Sequence, residues 1–251
     1  MNPFYTTYNY IPFDKIAESD YEPAILKGIE EEEKEIAAIV DNPETPTFSN
    51  TIEALEQSGQ LLGKVTDVFF NLLNAETNDF LDELAQKVSP ILSEHSNNIK
   101  FNERLFNRVK KVYETHAACK FSDLNEEQTM LLNNCYDSFI RHGANLPNEQ
   151  KKRFREITAE LSVLSLQFSQ NKLKDTNDFF LHITNPIELE GLPESSIDLA
   201  KETAKERNMD GYVFTLQAPS YIPFLTYSSL RDLRQKMYMA YNTMGTHDNG
   251  N

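Results

Sequence analysis

A mainly α-helical fold is predicted, a bundle of long antiparallel helices with one small two-stranded β element near residues 179–217. Three observations predict it. Apolar residues recur three and four apart along most of the chain, the period of a helix that lays one face on a core. Only 8 glycines are spread over 251 residues, too few for a turn-rich all-β fold or for glycine-rich phosphate loops. Strand-like alternation of β-branched and aromatic residues is confined to residues 179–184 and 212–217.

The elements follow in order. Residues 2–16 carry Pro3 and Pro12 among aromatics and read as an extended arm, with Phe4, Tyr8, Tyr10 and Phe13 packing onto something else. Ser19 and Glu22 have capping-box spacing, and Pro23 falls in the first turn, where its missing N–H costs little. Tyr21, Ile25, Gly28, Ile29, Ile36 and Ile39 then make the first helical stripe, which stops before Pro43. A second helix is predicted to run from a cap at Ser49 or Asn50, with Glu53 as its box partner, to near Leu73. Its stripe is Ile52, Leu55, Leu62, Val65, Phe69 and Leu72. A third begins after Asn78 with Leu81, Leu84 and Val88 inward, and Pro90 is expected to kink or break it. A fourth carries Leu105, Phe106, Val109 and Val112. A fifth carries Leu131, Leu132, Cys135 and Phe139 and stops at Gly143. The sixth starts at Pro147. Phe154, Ile157, Leu161, Leu164 and Phe168 form its packing seam, and Lys151, Lys152 and Arg153 lie on its exposed side.

After Asp175 the texture changes. The two short strands enclose a turn at 189–193 and a helix from Ser195 to about Arg207. Pro219 and Pro223 interrupt the chain, and Ser228 or Ser229 caps a last helix bearing Leu230, Leu233, Met237, Tyr241 and Met244. The final polar residues, GTHDNGN, read as a frayed tail. Two regions are therefore expected: a helical one at 1–175, and one at 176–251 that combines the β element with helices.

Charge narrows the function. Twenty-four basic against 39 acidic residues give a net charge of -15, a surface that repels nucleic acid and anionic lipid. The densest acidic run, Glu30 to Glu33 with Glu35, reads as a solvated helix face, with no turn to gather its carboxylates round a cation. No apolar run has the length of a bilayer span, and the first residues lack a basic start followed by an apolar stretch, so a cytoplasmic protein is expected, with a signal peptide removed before residue 1 as the alternative.

The chemistry-bearing residues are sparse. Five histidines, His95, His116, His142, His182 and His247, are scattered, and none opens a His-Glu-x-x-His pair that would put two imidazoles on one helix face. His95 and His116, with Glu94 and Glu114 beside them, read as partly exposed helix residues. Cys119 and Cys135 form no Cys-x-x-Cys pair. Cys135 reads as a small core residue, and a Cys119–Cys135 disulfide is the alternative. Gly-x-Ser-x-Gly, Walker and Gly-x-Gly-x-x-Gly patterns are missing. Tyr221, Tyr227, Arg231 and Arg234 cluster as an aromatic and basic group whose ordinary reading is packing at a helix start. The residues by themselves thus single out no catalytic residue, metal ligand or substrate contact.

One stretch adds a relation. Pro46-Thr47-Phe48-Ser49-Asn50-Thr51-Ile52-Glu53-Ala54-Leu55-Glu56 resembles a segment near the start of the zinc metallopeptidases related to thimet oligopeptidase, and most of all the peptidyl-dipeptidase branch. Further stretches agree in order, among them Pro12 to Ile16, Leu105 to Arg108, Gly143 to Leu146, Phe168 to Asn171 and Ala218 to Tyr221. The resemblance implies a mostly helical N-terminal region that walls a channel and restricts access to short peptides. It also implies a catalytic domain after residue 251 that holds one zinc on His-Glu-x-x-His and a later Glu. The chain carries no such motif, so no zinc ligand is assigned to it and it is expected to be inert alone. Apolar surface normally covered by that domain is expected to be exposed and to favour self-association. The alternative is a standalone helical interaction module without catalytic activity.

Overall fold

Tyr21 marks where the chain commits to its first long helix. The computed structural model describes residues 2–118 and 124–246. They are mainly helical, with one two-stranded antiparallel sheet, as the periodicity predicts. The chain divides into two compact units, Met1–Val163 and Leu164–Asn251.

In the first unit, α1 (Tyr21–Asp41) buries Tyr21, Ala24, Ile25, Gly28, Ile36 and Ile39, the predicted stripe. The Ser19/Glu22 box does not form. A 3-10 turn at Glu18–Asp20 precedes the helix, and the Asp20 carboxylate accepts the Ala17 N–H at 2.9 Å. Glu22 instead accepts from Lys87 at 2.6 Å. The N-terminal segment is not a uniformly extended arm either, because it folds into 3-10 turns at Pro3–Tyr5 and Phe13–Lys15. Phe4 is fully buried and leads an aromatic row, 5.4 Å from Tyr21, itself 5.4 Å from Phe69. Tyr10 and Phe13 remain 81% and 53% exposed, against the expectation that they pack.

The predicted second helix is broken. A π-helical turn (Phe48–Glu53) leads into one turn of α-helix, α2 (Ala54–Glu56), and α3 (Gln60–Ala75) starts afresh. Thr47, not Ser49 or Asn50, is the cap: its hydroxyl accepts the Asn50 N–H, and Asn50 Oδ1 accepts the Thr47 N–H at 2.8 Å. The break has local causes. Ser58 donates its hydroxyl to the Leu55 carbonyl at 2.7 Å, and Gly59 adopts the left-handed conformation (φ 69°), which costs glycine little. There the Gly59 N–H donates to the Glu35 carboxylate at 2.8 Å. Nearby, α1 and α3 approach backbone to backbone: a methyl on Gly28 would lie 2.8 Å from Leu62 Cα.

α4 (Asp79–Lys100) continues through Pro90, so of the expected kink or break the break does not occur. Its cap at Asn78 and its buried stripe of Leu81, Leu84, Ala85 and Val88 anchor the turns before the proline, so packing outweighs one lost backbone bond. α5 (Glu103–Ala118) and α6 (Glu126–Arg141) follow, the latter opened by an Asn125/Gln128 capping box and ended by Gly143 at φ 82°. The core between α1, α5 and α6 is built on Ile36, Ile52, Leu105, Val109, Leu132 and Phe139. Arg108 crosses from this core to the loop after α1, donating to the Asn42 and Glu44 carbonyls and to Asn50 Oδ1.

α7 (Asn148–Asp178) is rotated from its predicted face. Lys151 is buried and bonds Glu103 at 3.1 Å, Phe154 meets the Phe101 ring at 5.4 Å, and Thr158 accepts from Asn97 at 2.7 Å. Those positions share one helical face, so the expected seam residues Ile157 and Leu161 turn outward, 40% and 54% exposed. Leu164 and Phe168 are likewise half exposed.

In the second unit, β1 (Phe180–Ile183) pairs antiparallel with β2 (Tyr212–Thr215), Phe180 opposite Thr215 and Ile183 opposite Tyr212. α8 (Glu194–Glu206) joins them. The two prolines expected to interrupt the chain lie in a helix, α9 (Ala218–Tyr227). Pro219 falls in its first turn, where no N–H is needed. Tyr221 and Phe224, three apart, are buried, the latter 4.7 Å from the Phe214 ring. Neither Ser228 nor Ser229 caps α10 (Arg231–Asn242) as expected: Leu230 holds the cap position, and its N–H donates to Ser228 Oγ at 3.3 Å. In the expected frayed tail, the Gly245 N–H donates to the buried Asp175 carboxylate at 2.7 Å, and residues 247–251 lie outside the described ones. No helix among the described residues is long and apolar enough to cross a membrane.

Candidate functional site

Two acidic and basic residues occupy positions that helical spacing reserves for the core. On α1 the buried stripe steps 25, 28, 36, 39, and position 32 completes it. That position is Glu32, whose side chain is only 16% exposed. On α4 the stripe steps 81, 84, 88 and then reaches His95, 6% exposed. The two facing helices thus bury a carboxylate against an imidazole, and His95 Nε2 lies 2.8 Å from Glu32 Oε2. Pairing with a hydrogen bond is what makes such burial tolerable. The other ring nitrogen, Nδ1, is buried with no hydrogen-bond partner, and Glu33 Oε1 stands 4.0 Å away.

This corrects two sequence readings. His95 is not a partly exposed residue beside Glu94, since Glu94 points elsewhere and takes Arg155 at 3.0 Å. The acidic run is not uniformly solvated: Glu30 and Glu31 pair along the surface with Lys34 and Lys27, whereas Glu32 turns inward. The signal was present as a gap in the α1 stripe, filled by an acid.

Beside the pair lies a cleft of about 470 Å³ between α1, α2, α4 and α6. Its apolar wall includes Ile52, Leu55, Leu62, Leu92, Ile99 and Leu131, and a neighbouring depression of about 800 Å³ shares Glu32, Ser58, Leu62 and Leu92 with it. Lys100, in the last turn of α4, and Cys135, on α6, line it too, together with Glu56, Asn134 and Ser138. The Lys100 ammonium donates to Ser138 Oγ at 2.9 Å and lies 4.6 Å from the centre of the Phe139 ring. Burial lowers the pKa of Lys100, with Cys135 and Glu32 opposing it. Burial pushes the Cys135 thiol up to about 11, Lys100 pulling the other way and Glu56 adding to the rise. Cys135 is thus a protonated thiol at neutral pH and a free one, while Cys119 lies outside the described residues.

The remaining sequence candidates do not converge. His142 Nδ1 lies 2.7 Å from the Ser138 carbonyl, and His182 Nε2 lies 2.6 Å from the Asp210 carbonyl. His116 sits near the end of α5, Glu114 pairs with Lys110, and His247 is outside the described residues. Among the described residues, no three His, Cys, Asp or Glu side chains come together as a metal site would require. The aromatic and basic cluster is dispersed as well. Tyr221 stacks on Tyr241 at 4.3 Å, Arg234 donates to the Ser228 carbonyl, and Tyr227 and Arg231 are exposed.

No family model matches the chain. Individual proteins do. A dipeptidyl carboxypeptidase of Escherichia coli is 35% identical over 256 residues, covering all of this chain and 37% of its own length. Oligopeptidase A of the same bacterium is 30% identical over 250 residues, covering all of the chain and 36% of itself. A dipeptidyl carboxypeptidase of Salmonella typhimurium is 36% identical over 198 residues, 79% of the chain and 29% of itself. The chain therefore spans about a third of the length of the curated relatives it matches.

Proposed function

We propose that this chain, whose sequence is thimet-oligopeptidase-like from end to end, forms the N-terminal wall of the channel of a zinc-dependent peptidyl-dipeptidase acting on short peptides. The observation that carries the proposal is the match to a dipeptidyl carboxypeptidase along 100% of the chain, against 37% of that relative. In this reading the zinc, its ligands and the general base belong to the remaining part of the protein. The partner of this region is that catalytic part, and the setting is the cytoplasm.

The test has two parts. The coding sequence beyond Asn251 is expected to continue in frame and to encode His-Glu-x-x-His, and a stop codon there overturns the proposal. The chain by itself, given zinc and an N-blocked pentapeptide, is expected to release no C-terminal dipeptide and to take up no stoichiometric metal. Turnover by the chain alone assigns the activity here instead.

A further inference from the structure

The Lys100 ammonium is half-buried at the edge of an apolar cleft without an anionic partner. Its contacts are a hydroxyl, Ser138 Oγ at 2.9 Å, and the face of Phe139. Among the described residues no carboxylate lies within ion-pair distance of it, and Glu32, which lines the same cleft, is already engaged by His95. A cation withdrawn from water normally brings its counter-charge with it. The space beside Lys100 is about 470 Å³, within the range of small-ligand sites, and one wall is aliphatic, while Glu32, held by His95, and the exposed Glu56 also line it. Two further hydroxyls, Ser58 and Ser96, line the same cleft.

We propose that this cleft binds an apolar carboxylate, its anionic group on Lys100 and Ser138 and its apolar body against Ile52, Leu55, Ile99 and Leu131. The site is built wholly from residues of the first unit and does not rest on the peptidase reading. Two sources share this chemistry: the C-terminal end of a short apolar peptide, and a medium-chain fatty acid. Cys135 takes no covalent part, because its thiol is protonated at neutral pH.

Calorimetric titration of the whole 251-residue chain tests this. The probes are N-acetyl-Leu-Phe as the free acid, the same dipeptide as its C-terminal amide, and decanoate. At least one of the two acids is expected to bind. Lys100→Met is expected to weaken that binding by about tenfold to a hundredfold, the worth of a charge-assisted hydrogen bond. Lys100→Arg keeps the charge and is expected to retain most of the affinity, and Lys110→Met, on an exposed surface, all of it. Circular dichroism melts of each variant show that the fold is intact. Binding by the peptide acid and not the amide assigns a peptide terminus, and binding by decanoate alone assigns a fatty acid. The proposal is overturned if neither acid binds, if acid and amide bind alike, or if Lys100→Met leaves affinity unchanged in a folded protein.

Discussion

The two units fill their interiors in different ways. The second is packed with Ile183, Phe214, Phe224 and Met237, and its described buried polar residues are hydroxyls plus Asp175, whose carboxylate holds the Gly245 N–H. The first withdraws charged groups from water: Glu32 with His95, Lys151 reaching out to the exposed Glu103, and Arg108 with the loop after α1. An apolar core gives stability and little else. Buried ionic groups add little net stability but leave polar atoms beside hydrophobic walls, and the cleft at Lys100 lies next to such a pair.

The contrast can be broken most severely in the apolar unit. Phe224→Ala removes a fully buried ring that stacks edge-on against Phe214, and is expected to cost about 3–5 kcal/mol in urea denaturation. In the first unit, Arg108→Met keeps the bulk and removes the donors to two carbonyls and an amide. A loss of about 2–3 kcal/mol is expected, and Arg108→Lys should recover only part of it, since one ammonium cannot span the three acceptors. A loss as small as that of a surface arginine would mean that polar threading contributes nothing to the first unit.

The smallest effect sharpens the contrast without unfolding anything. With its thiol raised to about 11 from the ordinary 9.0, Cys135 in a Cys119→Ser background should react with iodoacetamide at pH 8 about a hundredfold more slowly than an unhindered thiol. The rate should climb tenfold per pH unit until about 11. The sign for stability follows. Between the ordinary and the raised value the unfolded chain loses this proton and the folded chain keeps it, so stability falls as pH rises through that window. Alkylation at an ordinary rate at pH 8 would show that this side of the cleft is open to water.

Periodicity made the helices and the strand pair legible, because burial of a stripe is a repeated, local signal. It located Leu105, Val109, Leu132 and Phe139 in the core. It misplaced what depends on a partner element. α7 turns its Lys151–Thr158 face inward because Glu103, Phe101 and Asn97 offer matching groups, and no spacing rule within α7 encodes them. Pro90 reads as a kink or break and Pro223 as an interruption because the local cost is visible in the sequence and the packing that offsets it is not. The Glu32–His95 pair was half legible: each fills a vacancy in a stripe, but the pairing spans 63 residues of sequence.

Asn50 lies within the stretch that carries the resemblance to thimet-oligopeptidase-like enzymes. Its single amide accepts from Thr47 N–H, the Thr51 hydroxyl and Arg108, and donates to the Thr45 carbonyl. Every one of those bonds ties one part of the polypeptide to another. Kinship here is written in joinery: a reader hunting for nucleophiles or ligands would pass over the very words that disclose the ancestry, while an aspartate at this position, lacking the donor, would leave the Thr45 end untied.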